Sequence, residues 1–200
     1  MPVTINGDGS ITGLAVGGLP DGSVDADTLA SNAVTNAKIA SGAITSSEMP
    51  TGSVLQAVEG STENRIEITG GTGTWTDTNL SATITPSSSS NKVLVLVNGS
   101  IHTGNTSSAA LTVFRGGTSG TDIGSSGGYG LLHVNGTATS GGGGGTLNGG
   151  LVKLDSPNTD QATEYLVKAK RVWAGAGGHT KFPSSNNYET ATITLIEIKG

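Results

Sequence analysis

From residue 14 to residue 54 every fifth position carries a large apolar side chain: Leu14, Leu19, Val24, Leu29, Val34, Ile39, Ile44, Met49 and Val54. Nearly everything between them is Gly, Ala, Ser, Thr, Asn or Asp. A step of five fits neither regular period. On an α-helix it rotates each apolar residue by about 140° from the last, and on a strand it changes face each time. The backbone must turn once per pentad, or the apolar residues must meet on an axis made by several chains. Either way the stretch closes no core alone. It reads as the stalk of an elongated oligomer with those residues along its axis.

The repeat is sharper at ten residues: GSVDADTLAS, NAVTNAKIAS and GAITSSEMPT follow one another from residue 22 to residue 51. Each decad opens with Gly or Asn, where a left-handed backbone is cheap. Asp25, Thr35 and Thr45 stand where a helical turn would be capped. One decad is therefore expected to hold a short extended piece, one helical turn and a reversal. A single-chain pentapeptide solenoid is the competing arrangement, although residues 14–52 would supply only a small one without obvious caps.

The pattern changes on either side. Residues 1–13 alternate Val3, Ile5 and Ile11 around a Gly7-Asp8-Gly9 turn, which predicts a small hairpin acting as an attachment segment. From residue 53 onward, strands are expected at 54–59, 65–69, 81–85, 92–103, 109–115, 130–134, 147–154, 162–173 and 189–199. Val93 to Val97 is apolar without a break, as in a strand buried on both faces. In the last strand Ala191, Ile193 and Leu195 share a face and Ile196 and Ile198 take the other, which reads as a bulge or burial on both sides. No long helical period interrupts these strands. The fold class is all-β: an elongated repeat stalk (residues 14–52) followed by a β-sandwich or jelly-roll knob (residues 53–200). Four Gly-rich loops, 116–128, 135–146, 155–161 and 174–188, exceed what a core requires.

Composition narrows the function. Charged residues make up 12% of the 200, far below a typical enzyme, and the polarity comes from Ser, Thr and 33 glycines. The net charge is −5 with no basic tail. Lys168 and Lys170 share a strand face, expected to be solvated, so nucleic acid is not an expected partner. Cysteine is absent, which excludes disulfides and thiolate metal sites. Met1-Pro2-Val3-Thr4 has no basic region or apolar run of a secretory signal, so synthesis in a cytoplasm is expected.

Chemical motifs are weak. Gly124-Ser125-Ser126-Gly127-Gly128 matches a nucleophile-elbow spacing but lies in a Gly/Ser-rich loop, without the strand and helix an elbow needs. His102, His133 and His179 show no metal-binding spacing. The carboxylates of the knob are scattered. Neither catalysis nor a cofactor is expected.

Two groups of residues carry a family resemblance. They are the repeat, ITGLAVGGLPDGSV (11–24) with LASNAVTNAKIASGAIT (29–45), and the knob segments SATITPSSSSNKVLVLV (81–97) and ATITLIEIKG (191–200). The chain resembles bacteriophage tail fibres, particularly those of marine and cyanobacterial phages. The resemblance implies a parallel homotrimer in the virion: the N-terminus docks on a phage tail or baseplate protein, and the knob meets a host-surface glycan or outer-membrane component. Glycan recognition would draw on aromatics stacked under sugar rings and on Asn, Asp or Arg hydrogen bonds. Candidates on or beside the loops are Tyr129, His133, Asn135, His179, Phe182, Asn186, Asn187 and Tyr188. Trp173 follows Tyr165 and Val167 in strand phase and is expected in the core. A structural virion component, such as a capsid decoration or tail spacer, is the alternative function. A glycan-cleaving fibre is a third.

Overall fold

The computed structural model describes residues 3–8, 11–13, 24, 29–69, 72–104, 107–124, 128–135, 144–174, 178–184 and 189–200. The chain divides into two compact units, Met1–Thr45 and Ser46–Gly200.

In the first unit, β1 (Thr4–Ile5) and β2 (Ile11–Thr12) pair as the small antiparallel hairpin expected from the alternation. The repeat is a series of turns. Ala33 N–H donates to the Ala30 carbonyl (2.9 Å) and Ala43 N–H to the Ala40 carbonyl (3.0 Å). The third residue of each turn, Asn32 or Gly42, has positive φ (64° and 77°). That is the requirement of a type II turn, and it explains why each decad opens with Asn or Gly. Thr35 precedes a single 3-10 turn, Asn36–Lys38, although its hydroxyl makes no capping bond. Asp25, Leu14 and Leu19 lie outside the described residues. Of the remaining apolar positions, Val34 is 57% exposed, Ile44 57% and Ile39 39%, Val24 and Leu29 are also exposed, and Met49 is half-buried. In a solenoid they would form an interior column. Among the described residues they form none.

The second unit is a two-sheet sandwich. Its first sheet contains β3 (Val54–Thr62), β4 (Ile66–Ile68), β6 (Lys92–Thr103), β10 (Gly145–Asp155), β12 (Thr180–Phe182) and β13 (Ala191–Ile198). Strand β10 pairs with β6 along its whole length, so β13 and β12 must share the other edge of β6. β3 and β4 pair with β13 and β12 in turn. Two interrupted strands thus complete a four-row sheet. The second sheet repeats the device. β11 (Thr163–Ala174) lies between β5 (Thr76–Ile84) and β7 (Ser107–Arg115), and β8 (Thr121–Asp122) and β9 (Leu132–Asn135) share the far edge of β7. Successive long strands alternate between the two sheets, and all pairs are antiparallel, as in a jelly roll of interlocked Greek keys.

The core follows from period-two alternation. Val93, Val95 and Val97 of β6, Ile193 and Leu195 of β13, and Tyr165, Val167 and Ala169 of β11 all face inward and are buried. Leu94 and Leu96 are half-buried on the outer face, so β6 is not buried on both sides within one chain. β13 also departs from the expected change of phase. Its alternation runs unbroken, and the register against β3 shifts only between Glu197 and Ile198.

The price of that alternation is Glu197, a fully buried carboxylate on the inner side of β13. It accepts from Gln56 Nε2 (2.6 Å), Asn91 Nδ2 (2.6 Å), Ser87 N–H (2.7 Å) and Ser87 Oγ (2.8 Å). Burial alone would raise its pKa. The four donors outweigh that and hold it below the usual carboxylate range. Because the folded pKa is the lower one, this network stabilises the fold above the unfolded carboxylate value of about 4.3, and the stability disappears as pH falls through the folded value. Glu197→Gln turns one acceptor into a donor facing donors. It is expected to cost about 2–4 kcal/mol at pH 7. Denaturant titrations should show the gap to wild type closing towards pH 3. A gap independent of pH would refute the ionised network.

Candidate surface-binding site

The outer face of the second sheet is built by one irregularity. In β11, inward Tyr165, Val167, Ala169 and Arg171 alternate with outward Leu166, Lys168 and Lys170. The register against β7 then shifts between Arg171 and Trp173. This bulge carries Trp173 to the outer face, opposite Ser108, where it is 59% exposed. The expectation that Trp173 belongs to the core is thereby corrected.

Beneath this surface the two lysines are buried rather than solvated. Lys168 pairs with Asp77 (2.9 Å), donates to the Thr118 carbonyl (2.5 Å) and lies 4.3 Å from the Phe114 ring centroid. Burial tends to raise the Asp77 pKa, but the Thr118 hydroxyl and the Lys168 ammonium together lower it. Lys170 sits 4.3 Å over Trp75 and donates to the Gly128 carbonyl. Charge, ring and carbonyl together offset the cost of taking these ammonium groups out of water. They also pin the segments around Thr118 and Gly128 across the sheet.

That covering loop presents Tyr129. It is flanked by Gly128 (φ 78°) and Gly130 (φ 68°), and Leu131 N–H closes the loop onto the Leu111 carbonyl (2.8 Å). Tyr129 is 53% exposed, and its ring lies 5.1 Å from that of His133, which faces outward from β9. By register His133 is opposite Ala110, and Asn135 is opposite Ser108, the partner of Trp173. Strand spacing places Trp173 and His133 two strands and two residues apart, roughly 12 Å along one surface. Exposed aromatics at this spacing offer faces for planar or ring-shaped ligands, with the imidazole and phenol as hydrogen-bonding groups.

The other expected site residues are dispersed. Phe182 is fully buried in the core, packed beside Gly99, and so is corrected from the candidate set. His179 is half-buried. It stacks on His102 at 5.4 Å, and its Nε2 has no hydrogen-bond partner. Burial, followed by the positive fields of His179 and Lys181, lowers the His102 pKa against the opposing effect of Glu67. Asn186, Asn187 and Tyr188 lie outside the described residues.

A second concavity lies on the first sheet and matches none of the expected positions. It is a groove of about 310 Å³ lined by Asn98, Gly99, Ser100, Asn148, Glu189 and Thr190. The Glu189 carboxylate accepts from Ser100 Oγ and Ser184 Oγ (2.6 Å). No motif marks this groove, because register alone assembles it from β6, β10 and the segment before β13. Among the described residues no group of three His, Cys, Asp or Glu is placed to hold a metal.

In comparison with known proteins, the chain matches no family model and no curated protein.

Gly130 can be tested against its neighbour. A Cβ there would lie 2.3 Å from the Leu111 carbonyl oxygen, whereas one at Gly128 meets only the flexible end of Lys170 at 3.8 Å. Both positions carry the positive-φ penalty. Gly130→Ala should therefore destabilise the protein by about 1–3 kcal/mol more than Gly128→Ala in chemical denaturation. Equal losses would show that the loop does not depend on this close approach.

Proposed function

We propose that this chain is an attachment protein of a bacteriophage particle. The repeat acts as an oligomeric stalk, the N-terminal hairpin docks on a tail or baseplate protein, and the sandwich adheres to host-surface glycan. The observation that carries the reading is the exposed aromatic surface of Trp173, Tyr129 and His133 on an otherwise Ser/Thr-rich head. A strand tryptophan left mostly in water contributes little to folding, and exposed aromatic anchors are where binding energy concentrates. The open apolar residues of the repeat support the stalk. They gain burial only if other chains supply it, at about 1.5 kcal/mol per well-buried side chain before ordering is counted. A parallel homotrimer, located in the virion, is the assembly that the resemblance favours.

Binding rather than cleavage is the activity proposed. Glycoside hydrolysis uses two carboxylates facing a sugar. Among the described residues of this face the Asp122 carboxylate already accepts from the Thr112 hydroxyl (2.5 Å) and Gly124 N–H (2.8 Å), and the polar groove is lined by one carboxylate, held by two serines.

The test is calorimetric titration of the intact protein with host surface polysaccharide. Trp173→Ala should weaken binding by about tenfold or more, as truncation of an aromatic anchor does, without release of reducing sugar. Unchanged affinity in Trp173→Ala and Tyr129→Ala would overturn this site. Separately, Val34→Asp with Ile39→Asp should lower the solution mass measured by light scattering, and an unchanged mass would remove the stalk from the assembly.

A further inference from the structure

The outer faces of the two sheets differ. The second is crossed by the segments around Thr118 and Gly128 and by Trp75, whereas half the width of the first carries apolar side chains that the described residues of the sandwich leave exposed or half-buried. Register sets the side chains of that half in rows. Leu154, Leu94, Ile196 and Ala57 lie opposite one another, and Val152, Leu96, Thr194 and Glu59 form the next row. A third row joins Lys92, Ile198 and Val54. All point away from the core, because the intervening residues are those that fill it. Val152 is 68% exposed, Val54 58% and Leu154 50%.

We infer that this face is covered by a second copy of the chain, an inference that rests on the proposed oligomeric reading and gives it a place in the head. Three observations select a copy rather than a different protein. Val54, the last member of the five-residue apolar series, lies on this face, so the series that is open through Val34 and Ile44 leads in sequence directly into it. The face carries one acid, Glu59, and one base, Lys92, both exposed at its margin. A symmetry-related copy brings the complementary charge to each. The dimensions also fit. Four strands and three rows make an apolar area of roughly 300 Å², the size of an interface centre rather than a whole interface of about 800 Å² per partner. The polar groove around Asn98 and Asn148 continues the same face and supplies a rim. The Trp173 surface belongs to the opposite sheet and stays free.

The chain has no cysteine, which permits a local test in the intact protein. Val152→Cys is placed on the face, and Ser89→Cys, an exposed turn position, serves as control. In the oligomer the thiol at position 152 should alkylate several-fold more slowly than the control, and the two rates should converge on dilution to monomer. Val152→Asp with Leu154→Asp should lower the mass by light scattering while the circular dichroism spectrum and melting stay those of a folded sandwich. Equal alkylation rates in a protein that is oligomeric would overturn the face and leave the stalk standing. A monomeric wild-type chain would overturn both. Retained polysaccharide binding by the folded monomeric variant separates this interface from the adhesion site.

Discussion

The pairing of β6 on both edges is the constraint on which the head depends. β10 occupies one edge completely, and the other edge must be divided between β13 and β12. With both edges satisfied, the strand can neither slip nor rotate. A slip by one residue would exchange Val93, Val95 and Val97 with Leu94 and Leu96 and turn the whole apolar set over. Every later feature of the first sheet inherits this phase, including the buried carboxylate of Glu197 and the outward leucines. The same strand therefore supplies the core and leaves an apolar surface behind it.

The second sheet resolves its outer face differently. Its outward lysines are long enough to reach an acid, two carbonyls and two aromatic rings, and those contacts hold a Gly-rich segment over the strands. Burying an ammonium is unfavourable by itself. It persists because each head is surrounded by groups that replace its water. Among its described residues the sandwich thus has one side that presents aromatic rings and one whose apolar side chains Val54, Val152 and Leu154 stand exposed. The repeat has neither kind of cover. Its described backbone bonds between residues 30 and 43 are local turns, Val34, Ile39 and Ile44 are exposed there, and only further on do Ser47, Met49 and Gly52 bond to Lys199.

Much of this was legible in the residues. Asn32 and Gly42 announce left-handed turn positions because few other residues tolerate them. The unbroken apolar run of Val93 to Val97 marks a strand, although not which of its faces is buried. Tyr129 stood out as an aromatic between two glycines in a loop, and it is exposed. Trp173 was not legible. Counting by twos from Tyr165 places it inside, and the bulge before it leaves no compositional mark. Phe182 and His179 misled in the opposite sense. Loop-rich flanks suggest exposure, whereas β12 inserts between β4 and the end of β6, burying Phe182 and leaving His179 half-buried against His102.

The sequence by itself determined the repeat, its turn positions, the all-β class and the list of strands, because these depend on local sterics and on the period of the apolar pattern. Only the tertiary structure decided which strands are neighbours, where register breaks and which loops fold back over a face. Those outcomes join residues many tens of positions apart, such as Lys168 with Asp77 and Glu197 with Gln56. No local pattern encodes such a meeting. It arises when the chain finds the one pairing that fills the core and leaves its buried charges hydrogen-bonded.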